Sequence, residues 1–389
     1  MMKRYYDSPY IREFTARVEE CRQGKKGWEV VLDETAFYPE GGGQPADTGM
    51  LGDAKVTDVH EKDGRIIHFT DGPLPEGETV TGVIDWDRRF GHMQGHSGEH
   101  LVSGLIHRHF GYDNVGFHMG TDEITIDFNG LLTWEDLKDI EEEANGIIYE
   151  NREILAEFPS GEELKKLDYR SKKELSGQIR IVTIPGGDIC ACCGTHVKYT
   201  GEIGIVKFTS MMHYKGGVRI TLRCGKKALE DYERKREEIQ KVSVLLSAKP
   251  EQIGAAVEKM KEDLVQAQVR SGELCRQLVE LKVSAMQETD GAVFFVEPDF
   301  EAVPLRQMVN RMLEEKKGTT VLGLSGRNDG YFYVLGSRTD DMRICSKELN
   351  GLLNGRGGGS AQMAQGTFFT QEQVLRAVLK EKGFSSPET

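Results

Sequence analysis

Two stretches of sequence determine the predicted fold: GHMQGHSGEHLVSGLIHRHF at residues 91–110 and DICACCGTHVKYTG at residues 188–201. The first carries apolar residues at helical spacing and predicts a buried-face helix. The second is a glycine-containing loop flanked by the strand-like stretches 179–184 and 203–209. A helix combined with strands around one loop predicts an α+β domain.

The two stretches carry side chains typical of a zinc site. His96 and His100 are four residues apart, so they share one face of the helix. Cys192 and His196 are separated by three residues in the loop. Because zinc prefers thiolate sulfur and imidazole nitrogen, the residues together predict a two-part zinc site. Either pair alone is a weak signal, since most histidine pairs on helices hold no metal.

Bulk composition limits the class of protein. The chain has 389 residues, a net charge of −13 and no apolar run near the ~20 residues that span a bilayer. This charge argues against broad non-specific binding of nucleic acid, although it leaves room for a local site. The N-terminus lacks the apolar segment of a secretory signal, and three of the seven cysteines lie within residues 190–193. We therefore expect a cytoplasmic protein with no membrane partner.

The organisation predicted along the chain is α+β and multidomain. Short strands with frequent turns over residues 1–85 predict a small β-barrel or sandwich, and we expect the barrel. Residues 86–225 form the predicted zinc-binding domain, and a heptad-like pattern over 226–286 predicts an antiparallel helical hairpin or coiled coil. Alternating strand and helix patterns over 287–389 predict a C-terminal α/β unit, with a glycine-rich turn before its last helix.

The loop TAFYPEGGGQPADTG at residues 35–49 lies among the barrel strands. Its glycines Gly41, Gly42 and Gly43 allow the backbone to approach another group closely, although a plain hairpin loop is equally compatible.

These motifs match a known family when taken together. HSGEHL at 96–101, CCGTHVKYTGEIG at 192–204 and the loop at 35–49 closely resemble the editing domain of alanyl-tRNA synthetases, and most of all the free-standing AlaX-type editing proteins. GGGSAQMAQG at 357–366 resembles the C-terminal portion of those synthetases, as in the long AlaX form. Nothing in the chain resembles their ATP-dependent aminoacylation domain.

The resemblance implies a zinc ion held by His96, His100, Cys192 and His196. One departure from the family pattern bears on this set. Cys193 replaces a glycine that is common in the family, and Cys190 lies just upstream, so either thiol could compete with Cys192 for the metal. Four protein ligands would also close a tetrahedral shell, so either one ligand is weak or the metal mainly positions the substrate.

By the same resemblance, the chain is a trans-editing hydrolase that deacylates Ser-tRNA(Ala), secondarily Gly-tRNA(Ala), and spares Ala-tRNA(Ala). Gln44 is the candidate for holding the water or the ester, Thr35 for reading the serine hydroxyl, and Gly41 to Gly43 for lining the pocket. Two alternatives stay open: a deacylase of Ser-tRNA(Thr), and a non-catalytic tRNA-binding protein with a structural zinc.

The C-terminal unit is the predicted contact with the body of the tRNA. Arg356 with Gly357, Gly358 and Gly359 is a candidate phosphate site, because a glycine-rich turn can present backbone N–H groups. The hairpin or this unit is also a candidate for homodimer contact, which heptad spacing cannot distinguish from an internal pair.

We predict that His96→Ala or Cys192→Ala loses bound metal and hydrolytic activity together, because each removes one of the implied ligands. Metal content by plasma mass spectrometry, measured beside a deacylation assay, tests this. Full zinc occupancy in Cys192→Ala would show that another cysteine is the ligand.

Overall fold

The computed structural model describes residues 2–25, 27–171 and 178–387. The chain divides into two compact units, Met1–Lys241 and Val242–Thr389. No helix in the described ranges is both long and apolar enough to cross a membrane.

The first unit mixes short strands with a few helices. Its described strands are β1 (Met2–Lys3), β2 (Glu13–Gly24), β3 (Gly27–Leu32), β4 (Glu34–Thr35), β5 (Gly49–Leu51), β6 (Ala54–Lys62), β7 (Arg65–Thr70), β8 (Thr79–Ile84), β9 (Asn114–Met119), β10 (Ile124–Phe128), β11 (Leu155–Glu157), β12 (Ile181–Ile184), β13 (Asp188–Ala191), β14 (Val206–Tyr214) and β15 (Gly217–Cys224). Its helices are α1 (Trp86–Phe110), α2 (Trp134–Tyr149), α3 (Gly161–Leu164) and most of α4 (Gly225–Leu246).

The N-terminal strands form one closed sheet. Strands β2, β3, β7, β6, β5 and β8 pair in that order, and β8 pairs back with β2. In β2 the buried residues Phe14, Ala16 and Val18 alternate with exposed neighbours, because successive side chains point to opposite faces. The inward set packs into one apolar core.

Helix α1 is the central element of the remaining α+β part. The Asp85 side chain accepts a hydrogen bond from the Arg88 N–H at its start, and Gly111 ends it in the left-handed conformation at φ +69°. Every residue from Met93 to Ile106 is buried. The helix is thus enclosed on all sides, so its polar side chains need hydrogen-bond partners inside the protein.

Sheets surround this helix. One has the strand order β14-β15-β10-β9 and the other β11-β12-β13. Gly98 of α1 permits the close approach, since a Cβ there would lie 2.4 Å from Cys224 Sγ of β15. The structure extends the helix predicted in residues 91–110 back to Trp86. Helix α2 is capped by Thr133, whose side chain accepts from the Asp136 N–H.

The second unit is built on one mixed sheet. Its described strands are β16 (Ala292–Val296), β17 (Thr320–Arg327), β18 (Gly330–Ser337), β19 (Gly355–Gly359), β20 (Met363–Phe368) and β21 (Phe384–Ser385), in the order β19-β20-β18-β17-β16-β21. Its helices are α5 (Ile253–Ser284), α6 (Ala302–Glu314), α7 (Met342–Leu352) and α8 (Glu372–Glu381).

Helices cover both faces of that sheet. Val293 and Phe294, neighbours in β16, belong to different apolar cores, one with α5 and α6 and the other with α7 and α8. The prediction of a mixed α+β, multidomain chain is confirmed.

The glycine-rich stretch of this unit corrects one prediction. We expected a turn over residues 351–360, but the stretch forms the end of α7 and the edge strand β19. A Cβ at Gly357 would lie 2.3 Å from Gln365 O, and one at Gly359 would lie 2.1 Å from Met363 O. These glycines therefore allow two strand backbones to approach closely, which is a different use of glycine from a turn.

The segment predicted as a hairpin contains two long helices. Helix α4 ends at Leu246, a 3-10 turn occupies Pro250–Gln252, and α5 begins at Ile253. The predicted break near Pro250 is confirmed, whereas the pairing of the helices and the four domain boundaries stay predictions.

A buried histidine in the barrel predicts an acid-sensitive first unit. Burial lowers the pKa of His68 from 6.5 to about 4. Since the unfolded chain binds the proton more readily, the contribution of neutral His68 to stability is lost as pH falls from about 6.5 to about 4, by about 3 kcal/mol in total.

Urea unfolding at pH 7 and pH 5 tests this, followed by tryptophan fluorescence, because Trp28, Trp86 and Trp134 all lie in the first unit. We expect His68→Gln to flatten the pH dependence over this range. An unchanged slope in the variant would contradict the assignment.

Candidate metal centre

The four side chains predicted to hold zinc meet inside the first unit. One potential ligand atom from each of His96, His100, Cys192 and His196 lies within 4.8 Å of the others. Cys192 Sγ is 3.5 Å from His96 Nε2 and 3.4 Å from His196 Nε2. The three histidines are buried and the cysteine is half-buried.

Gln44 orients the first histidine. Its Oε1 lies 2.9 Å from His96 Nδ1 and also accepts from the Thr195 N–H at 3.1 Å. Two donors at one oxygen determine which way the amide points. Because a carbonyl oxygen only accepts, the hydrogen of His96 is on Nδ1, and Nε2 is left with the lone pair that a metal requires.

Asp188 orients the second histidine. Its Oδ2 lies 3.1 Å from His100 Nδ1. Burial alone would raise the pKa of Asp188, but hydrogen bonds from His100 and Arg170 outweigh it and lower the pKa to about 2. A histidine that donates one ring N–H to a carboxylate and presents the other nitrogen to an ion is a common arrangement in metal sites.

The third histidine is placed by a serine of α1. Ser97 Oγ lies 3.2 Å from His196 Nδ1 and accepts from the Val197 N–H at 3.1 Å. All three imidazoles thus use Nδ1 for contacts within the protein.

The cluster favours a thiolate. Burial acts to raise the pKa of Cys192, but His96, His100 and His196 outweigh it and hold the pKa well below its ordinary value. Burial lowers the pKa of His196 to about 3. Burial acts the same way on His100, but Cys192, Cys190 and Asp188 outweigh it and hold the pKa of His100 well above its ordinary value, so metal binding there would release a proton. Thiolate and neutral imidazole are the protonation states that bind zinc.

A buried arginine, Arg180, holds the loop that carries Cys192. Arg180 Nη1 donates to Cys192 O at 3.0 Å and to Gly194 O at 2.9 Å. Gly194 is needed for space, because a Cβ there would lie 2.1 Å from His96 Cε1. The structure thereby explains why this loop contains a glycine.

The three clustered cysteines have different surroundings. Among the described cysteines only Cys192 joins the four-residue group, whereas buried Cys190 lies in a second group with His100 and Asp188. The choice of Cys192 as the metal ligand stays a prediction. Cys193 is exposed and belongs to no potential metal group among the described residues.

A cavity of about 1240 Å³ opens beside the four donors. Its wall includes Gly42, Gly43, His96, Phe117 and Arg170. The ring of Phe117 stacks on His96 with centroids 5.3 Å apart. The predicted donors therefore adjoin a space large enough for a substrate much bigger than a free amino acid.

The predicted residues of the barrel loop take separate positions. Gln44 is buried, donates from Nε2 to Thr195 Oγ1 at 2.8 Å and contacts His96. Thr35 lies in the barrel core, 2.8 Å from His68 Nε2, and is absent from the described wall of the cavity, as is Gly41. The roles of Gln44 and Thr35 toward substrate stay predictions.

The donor set fits a metal ion of the zinc type. It combines one thiolate with three imidazoles, and each imidazole has an outer partner that leaves Nε2 to face the cluster.

Comparison with known proteins shows the family of the chain. A family model described as "Threonyl and Alanyl tRNA synthetase second additional domain" matches residues 179–242, and one described as "tRNA synthetases class II (A)" matches residues 8–88. The Alanyl-tRNA editing protein AlaX-L of Pyrococcus horikoshii is 31% identical over 401 residues, which cover 97% of each chain. The chain belongs to the alanyl-tRNA editing family.

Longer relatives share the same region. The Alanine–tRNA ligase of Pyrococcus abyssi is 34% identical over 96% of this chain, which spans only 42% of that ligase. The solved C-Ala domain of Aquifex aeolicus alanyl-tRNA synthetase matches 25% of this chain at 24% identity with a TM-score of 0.22.

Asp188 and Ser97, the outer partners of His100 and His196, were missing from the sequence prediction, whereas Gln44, the partner of His96, was predicted in a different role. Asp188 could have been predicted from the sequence, because Asp188 lies two residues before Cys190 and metal-binding histidines commonly donate to a carboxylate. Ser97 and Arg180 carry no comparable pattern, because their contacts depend on how distant segments pack.

We predict that Asp188→Asn weakens metal binding by about tenfold or more, because His100 loses its carboxylate partner. Titration against a chromogenic chelator measures the affinity. Asp127→Asn is the matched control, since Asp127 also pairs bidentately with an arginine, Arg219, but lies outside the described cavity wall. Equal affinities in wild type and Asp188→Asn would contradict the orienting role.

Proposed function

We propose that this editing-family protein is a trans-editing hydrolase that removes serine, and secondarily glycine, from mischarged tRNA(Ala). The observation that carries the proposal is the meeting of His96, His100, Cys192 and His196 beside a cavity of about 1240 Å³. Membership of the alanyl-tRNA editing family supports the reaction class, which is hydrolysis of an aminoacyl ester.

The chain's own residues would prepare the site for this chemistry. Zinc held by the four donors would polarise the ester carbonyl or lower the pKa of a water molecule. Gln44 holds His96 in one tautomer, and Asp188 does the same for His100. Because these contacts exist before substrate arrives, the donors need little reorganisation during the reaction.

The proposed preference for serine follows from the limited selectivity of an aminoacylation site. A pocket built for alanine cannot strongly reject glycine, which lacks one methyl group worth ~1–3 kcal/mol, or serine, which adds one hydroxyl. A second site that must hydrogen-bond a hydroxyl can accept serine and reject alanine. This logic makes serine the first expected substrate.

Thr35 remains the proposed reader of that hydroxyl. Because it is fully buried and lies outside the described cavity wall, the serine side chain would have to enter the barrel core to reach it. His68 Nδ1 lies 3.1 Å from Val30 O and must donate to it, so Nε2 of the neutral ring accepts from Thr35. Thr35 Oγ1 also accepts from the Phe37 N–H at 3.1 Å. Its remaining lone pair could only accept, so the serine hydroxyl would be the donor.

A second candidate is deacylation of Ser-tRNA(Thr). The matched family model describes a domain shared by threonyl- and alanyl-tRNA synthetases, so the described site alone does not separate the two tRNAs.

The second unit is proposed to contact the body of the tRNA or a second copy of the chain. Arg356 is exposed on the edge strand β19, with Gly357 to Gly359 beside it. An edge strand leaves part of its backbone free for a partner, which keeps this stretch a candidate contact.

Deacylation assays on Ser-tRNA(Ala), Gly-tRNA(Ala), Ser-tRNA(Thr) and Ala-tRNA(Ala) test the proposal. We expect fastest turnover of Ser-tRNA(Ala), slower turnover of Gly-tRNA(Ala) and none of Ala-tRNA(Ala). Faster hydrolysis of Ser-tRNA(Thr) would favour the second candidate. No turnover by zinc-loaded protein would favour a non-catalytic protein that binds tRNA.

A further inference from the structure

Arg170 is an anchored cation in the cavity wall and is not one of the four potential metal donors. Its backbone N–H donates to Ile189 O at 2.9 Å, and its carbonyl accepts from the Ala191 N–H at 2.9 Å. Its side chain donates from Nε to Asp188 Oδ1 at 2.8 Å and from Nη2 to Oδ2 at 2.7 Å. Main chain and side chain are therefore both attached to the segment that carries Asp188.

The guanidinium group of Arg170 still has one nitrogen, Nη1, that could donate to a ligand. Within the described ranges, Nη1 of Arg170 makes no hydrogen bond, and it is not among the buried polar atoms without a partner. The side chain is 14% exposed and lines the cavity. One edge of the fork is thus occupied by Asp188, and the other is open to a ligand.

We propose that Arg170 binds the phosphodiester next to the terminal nucleoside of the acylated tRNA. This inference rests on the proposed function. The aminoacyl end of such a substrate carries an ammonium group and a neutral ester, so its phosphodiesters are the only anions that a fixed guanidinium could recognise. Arginine suits this role because its planar fork can serve two acceptors at once.

The other arginine of the described cavity wall already has an anionic partner at the surface, because Arg108 pairs with Glu143. Arg170 differs because its partner Asp188 is buried and also accepts from His100.

The contact would link substrate position to the donor cluster. Asp188 joins Arg170 to His100, so a phosphate on Nη1 would lie at a set displacement from the four donors. Such placement of the ester, determined by binding at a remote group, is a recognised source of rate enhancement. Arg170 is accordingly a substrate-binding and positioning residue.

The test compares substrates with and without the phosphate. Zinc-loaded wild type and Arg170→Met are assayed on Ser-tRNA(Ala) and on 3′-O-seryl-adenosine, which has no phosphodiester. We expect Arg170→Met to raise KM for the tRNA about tenfold or more, with little change in kcat, and to leave kcat/KM for seryl-adenosine nearly unchanged. The salt dependence of tRNA binding should also lose a slope of about 0.7, the value for one phosphate contact on a single strand.

Arg219→Met is the matched control, because Arg219 makes the same two-bond pair with Asp127 outside the described cavity wall. Arg219→Met should change KM and kcat for neither substrate. Equal losses on both substrates would overturn the inference, since Arg170 would then act only through Asp188. Unchanged kinetics on both would overturn it as well.

Two further measurements keep the result decisive. If Arg170→Met does not fold, Arg170→Lys retains the charge but lacks the fork, and a raised KM for the tRNA alone would support the inference. Binding of the unreactive 3′-serylamido analogue of adenosine, with and without a 5′-phosphate, requires no hydrolysis. An Arg170-dependent preference for the phosphate in a protein that hydrolyses no seryl-tRNA would sink the proposed function and leave this inference standing.

Discussion

The candidate site depends on a buried ion pair between Arg89 and Asp47. Both side chains are completely shielded from solvent, and Arg89 Nε donates to Asp47 Oδ1 at 2.9 Å. Arg89 also donates to Pro9 O and Ala36 O, while Asp47 accepts from the Tyr38 N–H. Loss of one partner from such a pair typically costs ~3–5 kcal/mol. The pair attaches the barrel loop to α1, together with the bond from Arg88 Nε to Ala46 O and the bond from the Met119 N–H to Gly43 O, and these attachments place Gln44 beside His96.

The metal centre is consequently a product of several elements. Its potential ligands lie on α1 and on the loop after β13. Their outer partners are Gln44 of the barrel loop, Asp188 at the start of β13, just after the β12–β13 turn, and Ser97 of α1 itself. Gly104 lets that turn approach, because a Cβ there would lie 2.3 Å from Gly187 O and 2.6 Å from Asp188 Cβ. The close approach places Asp188 against His100, one turn earlier on the helix.

Sequence patterns predicted the positions of helices and strands better than they predicted which distant residues are in contact. Alternation in Phe14 to Val18 and the cap at Thr133 are local signals, since the chain itself displays strand period and cap chemistry. The start of α1 was missed because Arg89, inside its first turns, is a fully buried charge that resembles a surface residue in sequence. Gly357 and Gly359 were read as a turn because sequence alone does not reveal a neighbouring strand. Gln44 and Thr35 were selected by resemblance, and the structure adds their partners, His96 and His68.

The sequence by itself determined the family resemblance, the mixed α+β class and a set of candidate donors in which Cys190 and Cys193 still competed with Cys192, because residue type, spacing and hydrophobic period are local properties of a chain. Tertiary structure alone decided that Cys192 joins the histidines, that Asp188 and Gln44 orient two of them, and that Arg170 lies open to the cavity. The physical reason is that hydrogen bonds reach about 3 Å whatever the separation along the chain, and burial makes each one obligatory. The packing of the barrel, α1 and the sheets determines which distant groups come within hydrogen-bond distance.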